Sequence, residues 1–329
     1  MGKSTLHRPT AYLNQSLRWL LAIPAGGPEI SDAIVDFDPD SLARRPVDKQ
    51  SVIDDFLSQQ STTAAAIVER IPADEDGKLD SAAVDRLLVT VHCEMQRLSE
   101  ELQHGQRVAQ LLNSILQAIP QSDSADTRRV VDVGCGSGYV IRWLAAHKAV
   151  PDNVELIGAD YHFALIKEAL RLTELENLRC QFVVANAFTL KQPATVYLST
   201  GILHHFRGPG LVELFKLHQG GKTKAFLHFD FQPSVLAPLG SWLFHIVRMR
   251  EALARYDGVL SAVRAYRAEE LLAAARSGAP DFVSAIYGTR LWGLPIPRAF
   301  HCLVGIRPGY RDAFMAQMKG KLASLGVLE

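Results

Sequence analysis

Val130-Val131-Asp132-Val133-Gly134-Cys135-Gly136-Ser137-Gly138-Tyr139 runs from a β-branched stretch directly into a glycine-rich turn. The valines favour a strand, and a helical pattern, Tyr139–His147, begins as soon as the glycines end. Strand, tight turn and helix make the opening unit of an α/β domain. Glycine tolerates the backbone angles of such a turn and lets a ligand approach the main chain. Free amides at the helix start add partial positive charge suited to a carboxylate. The spacing is G-x-G-x-G, and Tyr139 stands where the dinucleotide turn G-x-G-x-x-G needs its third glycine. The turn therefore favours a ligand without a diphosphate.

Downstream, short apolar runs alternate with helical patterns. Strands are expected at Val154–Gly158, Cys180–Val184, Thr195–Ser199 and Ala225–Asp230, and helices at Phe163–Thr173 and Leu211–Leu217. Such alternation predicts right-handed crossovers and a mostly parallel sheet with helices on both faces. Two late runs, Phe282–Tyr287 and Ala299–Ile306, flank Gly288–Pro297 and read as an antiparallel hairpin, with a terminal helix over Tyr310–Leu325. Upstream, residues 1–125 show helical periodicity only: Leu13–Leu21, Val52–Leu57, Ala64–Ile71 and a long run from Ser81 to about Ile119 that Gly105 is placed to break. The expected organisation is an all-α region over 1–125, an α/β domain over 126–309 and a C-terminal helix over 310–329.

A nucleoside ligand needs an acid at the end of the second strand for its ribose hydroxyls. Asp160 ends that strand, 22 residues past Gly138, and Tyr161 follows it at the expected adenine side. With VVDVGCGSGYVIRWLA, LIGADYHFALIKEA, VVANAFTL and VYLSTGILHHF in order, residues 129–308 resemble the class I S-adenosylmethionine-dependent methyltransferases. The resemblance implies a seven-stranded sheet whose antiparallel strand comes last. It places Gly134, Cys135, Gly136 and Gly138 against the methionine moiety, with Asp132 nearby. Asn186, Ala187 and Phe188 border the adenine, and Ser199, Thr200 and Gly201 line the cofactor. Asn186 and Thr195 stand where many members carry Asp; an amide still accepts and donates at an adenine edge.

Leu203-His204-His205-Phe206 follows the fourth strand, where the methyl group should point. Its pattern resembles small-molecule methyltransferases of the ubiquinone/menaquinone group. Histidine titrates near neutrality, so His204 or His205 could take an acceptor's proton. His228 and Asp230 share one side of the fifth strand. Asp230-Phe-Gln-Pro and the run Tyr256–Leu271, which carries Arg264, resemble methyltransferases of polyketide pathways. Asp230 is a third catalytic candidate, and His228 and Arg264 are acceptor-binding candidates. Pro233–Met249 is too apolar for an open connector and suggests a wall, with Trp242, over a planar acceptor. Tyr12, Trp19 and Trp292 are further candidates for that pocket.

Lys plus Arg and Asp plus Glu both number 35, so no basic excess draws the chain to nucleic acid. Four scattered cysteines form no C-x-x-C pair and fit a cytoplasmic setting. No stretch has the length of a membrane span. No Asp, Glu and His cluster with metal spacing is visible, so a metal-independent enzyme is expected. The N-terminal helices are open as a lid, a homodimer surface or a recognition region. The favoured reading is O- or C-methylation of a small apolar or aromatic acceptor. An RNA or protein methyltransferase and a non-catalytic cofactor-binding scaffold are the alternatives.

Overall fold

The computed structural model describes residues 27–120, 128–190, 193–234, 236–289 and 300–319. Tyr12, Trp19, Trp292 and the helix at Leu13–Leu21 lie outside the described residues. Among the described residues, five helices precede the sheet: α1 (Ile30–Ala33), α2 (Lys49–Ser58), α3 (Thr62–Val68), α4 (Ser81–Glu101) and α5 (His104–Ala118). The carboxylates of Asp48 and Asp80 accept from Ser51 N and Ala83 N, capping the open amides of α2 and α4. The long helical run is broken at Gln103, whose φ of 57° is left-handed, rather than at Gly105. Gly105 lies inside α5, where a Cβ would come within 2.7 Å of Trp143 Cε3. Its role is close packing on the following helix.

The α/β part then runs β1 (Arg128–Val133), α6 (Tyr139–Ala146), β2 (Val154–Asp160), α7 (Phe163–Leu175), β3 (Gln181–Val184), β4 (Val196–Thr200), a 3₁₀ turn at Leu203–His205, α8 (Pro209–Lys216) and β5 (Ala225–Phe231). Next come α9 (Ala237–Arg248), α10 (Ala252–Val263), α11 (Ala268–Gly278), β6 (Val283–Thr289), β7 (Phe300–Ile306) and α12 (Arg311–Met318). The seven strands order as β3-β2-β1-β4-β5-β7-β6. β1 to β5 pair in parallel, and β7 runs antiparallel to both β5 and β6. The strand order reverses between β1 and β4, which opens a crevice at their carboxyl ends.

Strand alternation sorts the side chains into two layers. Val130, Leu156, Val196 and Leu227 join α5, α6 and α12 on one face. Val131, Ile157, Tyr197 and Phe226 join α8 and α11 on the other. A third core packs α1 to α4 against Met249, Leu253, Tyr256 and Leu260 of α10 and its approach. The helical cap is therefore discontinuous in sequence: α10, inserted after β5, belongs with α1–α4, while α5 belongs with the sheet. Packing thus departs from a boundary at residue 125.

Candidate active site

The crevice is floored by the loop after β1. Gly134, Gly136 and Gly138 take φ of 68°, 55° and 78°, the left-handed region. The loop is tied to β2: Gly134 N and Cys135 N donate to Ala159 O, and Gly136 N donates to Asp160 Oδ2 at 2.9 Å. Asp160 Oδ1 accepts from His162 N at 2.9 Å, so one carboxylate fixes both the loop and the start of α7. Burial raises the Asp160 pKa, against the backbone hydrogen bonds that lower it. Asp132 is 1% exposed, and its Oδ1 has no hydrogen-bond partner. Burial, with the charge of Asp160 added, pushes its carboxyl well above the usual range. An orphaned buried carboxyl beneath a glycine turn suits a ligand bearing an ammonium.

The N-terminal segment roofs this crevice. Phe37 meets Tyr161 and His162 edge-on, with ring centroids 5.2 and 5.5 Å away. Asn186 Nδ2 donates to Pro39 O at 3.0 Å, and Asn186 Oδ1 accepts from Phe188 N at 2.9 Å. Arg44 pairs with Asp85 of α4. From α4, His92 hangs over the loop: a Cβ on Gly136 would lie 2.7 Å from His92 Cε1. Burial, with His162 adding, lowers the His92 pKa to about 4, so the ring is neutral.

At the far side of the crevice the 3₁₀ turn carries the histidine pair. His204 is buried; its backbone N donates to Asp230 Oδ2 at 2.9 Å, and its Nδ1 lies 2.8 Å from Asp230 Oδ1. Its Nε2 is left 3.6 Å from Glu29 Oε1, beyond hydrogen-bond reach. His205 stacks at 4.5 Å between ring centroids, with Nδ1 3.2 Å from Asp32 and Nε2 3.6 Å from Glu29 Oε2. Burial disfavours charge on His205, but Glu29 and Asp32 outweigh it and raise its pKa to about 9. The charge of Asp230 is favoured despite burial, because His204 lies against it, and its pKa is lowered.

The α10 run supplies the scaffold for this cluster. Asp257, Ser261 and Arg264 recur at i, i+4 and i+7, one face of a helix continued to its C-cap. Asp257 accepts from Ile30 N and Ser31 N at 2.8 and 2.9 Å and so caps α1. Ser261 Oγ donates to Glu29 Oε1 at 3.1 Å. Arg264 Nη1 lies 3.3 Å from Glu29 Oε1 and 3.6 Å from Asp32 Oδ2. Burial and the neighbouring Glu29 raise the Asp257 pKa to about 7.

Two residues expected to touch the acceptor, His228 and Trp242, are buried. His228 is fully buried under the crevice: Nδ1 meets Ser199 Oγ at 2.7 Å, and Nε2 meets His218 Nε2 at 2.9 Å. Its side of β5 is the expected one, but below Asp230 that side faces α8 and the core. Trp242 is buried on the inner side of α9, while Leu236, Leu243 and Val247 are the exposed residues there. Arg264 is brought to the histidine pair, and Thr200 and Gly201 to the crevice between β4 and the 3₁₀ turn. Glu29, Asp32 and His92 were missed. Asp257 and Ser261 lay in the Tyr256–Leu271 run whose resemblance pointed to Arg264, without being singled out themselves.

Residues 130–219, spanning the glycine loop, the acid after β2 and the histidine turn, match the family model described as a methyltransferase domain. Over these residues the chain resembles a methyltransferase domain. No curated protein matches the chain. Among solved structures, this chain is similar to the plantazolicin methyltransferase in complex with SAH: 14% identity, 79% of this chain, 99% of that chain, TM-score 0.49. It is also similar to a SAM-dependent methyltransferase from Aquifex aeolicus, at 11% identity, 64% and 92% coverage and TM-score 0.44. The magnesium protoporphyrin IX methyltransferase from Synechocystis PCC 6803 with bound SAH is 18% identical, with 79% and 99% coverage and TM-score 0.41. No helix among the described residues is long and apolar enough to cross a membrane.

Proposed function

We propose that this methyltransferase methylates an oxygen or carbon of a small apolar or aromatic acceptor seated against His204 and His205. The observation that carries the reading is the Asp230–His204 pair at the carboxyl ends of β5 and β4, across the crevice from the glycine loop. With Nδ1–H donating to Asp230, the Nε2 lone pair of His204 is the free proton acceptor. Asp230 fixes the ring's orientation through both His204 N and Nδ1. Phe231 meets the His204 ring edge-on at 5.7 Å and lies 5.0 Å from Phe300, an aromatic flank that favours a planar acceptor.

S-adenosylmethionine, when bound, supplies a methyl group on a sulfonium open to in-line displacement. Asp132 suits its ammonium, and Asp160 its ribose. Tyr161, Asn186, Ala187 and Phe188 lie on the adenine side. The N-terminal segment and His92 exclude water over the loop, and alignment with desolvation supplies much of the rate. The test is calorimetry with S-adenosylhomocysteine, followed by mass-spectrometric screening of phenols and enolisable carbonyls. We expect binding, methylation of at least one aromatic acceptor and loss of turnover in His204→Ala. Absence of S-adenosylhomocysteine binding refutes the donor assignment. Full turnover in His204→Ala refutes the base.

A further inference from the structure

We propose that Glu29, His204 and His205 form a site for one divalent first-row transition-metal cation, with Asp230 and Asp32 orienting the two imidazoles. The inference rests on the acceptor seat proposed above and names what holds the acceptor there. One ligand atom from each of the three residues falls within 4.8 Å of the others. Both Nε2 atoms lie 3.6 Å from an oxygen of Glu29. Two atoms that far apart, each about 2.1 Å from a common cation, subtend an angle of about 120°.

The hydrogen bonds around the cluster select the ligand atoms. Each imidazole gives Nδ1 to a carboxylate, His204 to Asp230 and His205 to Asp32. That turns Nε2 of both rings toward Glu29, the arrangement in which a carboxylate orients a metal-binding histidine. Glu29 is divided in the same way. Ser261 and Arg264 hold Oε1, and Oε2 faces His205 Nε2 alone. Two imidazoles and one carboxylate suit first-row divalent cations and leave coordination positions open.

Charge points the same way. Glu29, Asp32, Asp230 and Asp257 converge here, and Arg264 is the one guanidinium paired with them among the described residues. A cluster this acidic holds either extra protons or a cation. Glu29 and Asp230 are each about 2% exposed, whereas the His205 side chain is 31% exposed and leaves a path for an acceptor. Without a cation His204 Nε2 serves as the base proposed above; a bound cation would take that lone pair and would itself lower the pKa of an acceptor hydroxyl. Sequence reading expected no metal because Glu29 lies 175 residues before His204.

The experiment strips the full-length protein with chelator and titrates it with Co²⁺, read by visible absorption and calorimetry. S-adenosylhomocysteine binding is measured in parallel. One equivalent of Co²⁺ is expected. Glu29→Gln and His205→Ala should each weaken Co²⁺ binding at least about tenfold and leave S-adenosylhomocysteine affinity within about twofold. If either variant fails to fold, the other carries the test. Wild-type protein that binds S-adenosylhomocysteine but takes up no stoichiometric Co²⁺, Zn²⁺ or Mn²⁺ overturns the cation site and leaves methyl transfer standing. Unchanged Co²⁺ affinity in the variants overturns it equally. Wild-type protein that binds no S-adenosylhomocysteine refutes the methyl-donor reading instead.

Discussion

Gly136→Ala tests whether α4 roofs the cofactor loop, and its cost has two separable parts. The first is backbone: φ is 55°, a region that costs an L-residue with a Cβ about 1–2 kcal/mol. The second is steric: the new methyl lies 2.7 Å from His92 Cε1, so the ring must shift, at about 1–3 kcal/mol for overpacking. Together the loss is about 2–5 kcal/mol, a large share of a typical folding free energy. Removing the imidazole relieves only the second part. The Gly136→Ala/His92→Ala double variant should therefore be less destabilised than the sum of its single variants by about 1–3 kcal/mol. Urea denaturation at pH 7.5 measures all four stabilities, and calorimetry with S-adenosylhomocysteine reports the loop. A Gly136→Ala protein as stable as wild type refutes the loop geometry. Strictly additive losses would show that His92 does not lie over Gly136.

Asp230→Asn keeps the shape of the side chain but places an amide against two donors, His204 N and Nδ1–H; turnover should fall about 10²–10⁴-fold with S-adenosylhomocysteine affinity unchanged, and equal turnover would remove Asp230 from the mechanism. His228→Leu leaves Ser199 and His218 without their shared partner, which should cost about 1–3 kcal/mol per unsatisfied group while turnover per folded molecule is retained; selective loss of turnover would return His228 to the acceptor site. Asp257 and His205 both have folded pKa values raised above their unfolded ones, to about 7 and about 9. The native state then keeps protons that the unfolded chain has released, so stability should fall as pH rises from about 4 to 7 through Asp257, and again from about 6.5 to 9 through His205. Urea midpoints across pH 4–9 check this, and Asp257→Asn and His205→Gln should each flatten their own interval; a rise in stability over both intervals contradicts the charge cluster.

The sheet was legible because its signals are local. Continuous apolar runs, buried on both faces, mark β1, β2, β4 and β5, and the glycine turn marks the crevice where strand order reverses. Asp160 and His204 were legible for the same reason, since Asp160 ends β2 and His204 lies in the turn that follows β4. His228 shows the limit of alternation: it gives the side of a strand, but not the depth at which that side passes from crevice to core. The break at Gln103 was hidden because its left-handed geometry comes from packing rather than from the usual breaker residues. Glu29 and Asp32 left no trace, since their partners are more than 170 residues away. Their half of the cluster was nevertheless readable in α10, where Asp257, Ser261 and Arg264 share a face too polar for a helix so deeply buried.

That face couples the closing of the roof to the chemistry beneath it. Asp257 caps α1, and α1 together with the residue before it carries Asp32 and Glu29 to the histidine pair. Release of the cap removes the carboxylates that raise the His205 pKa and takes away Glu29, which faces His204. A substitution at Asp257 that frees α1 should therefore lower the His205 pKa from about 9 toward 6.5, although Asp257 touches neither histidine. Asp257→Ala followed by histidine NMR separates this coupling from a cap that only stabilises the fold. A merely structural cap changes the denaturation midpoint and leaves the His205 titration where it was. If both move together, one helix face sets both the enclosure of the crevice and its proton balance.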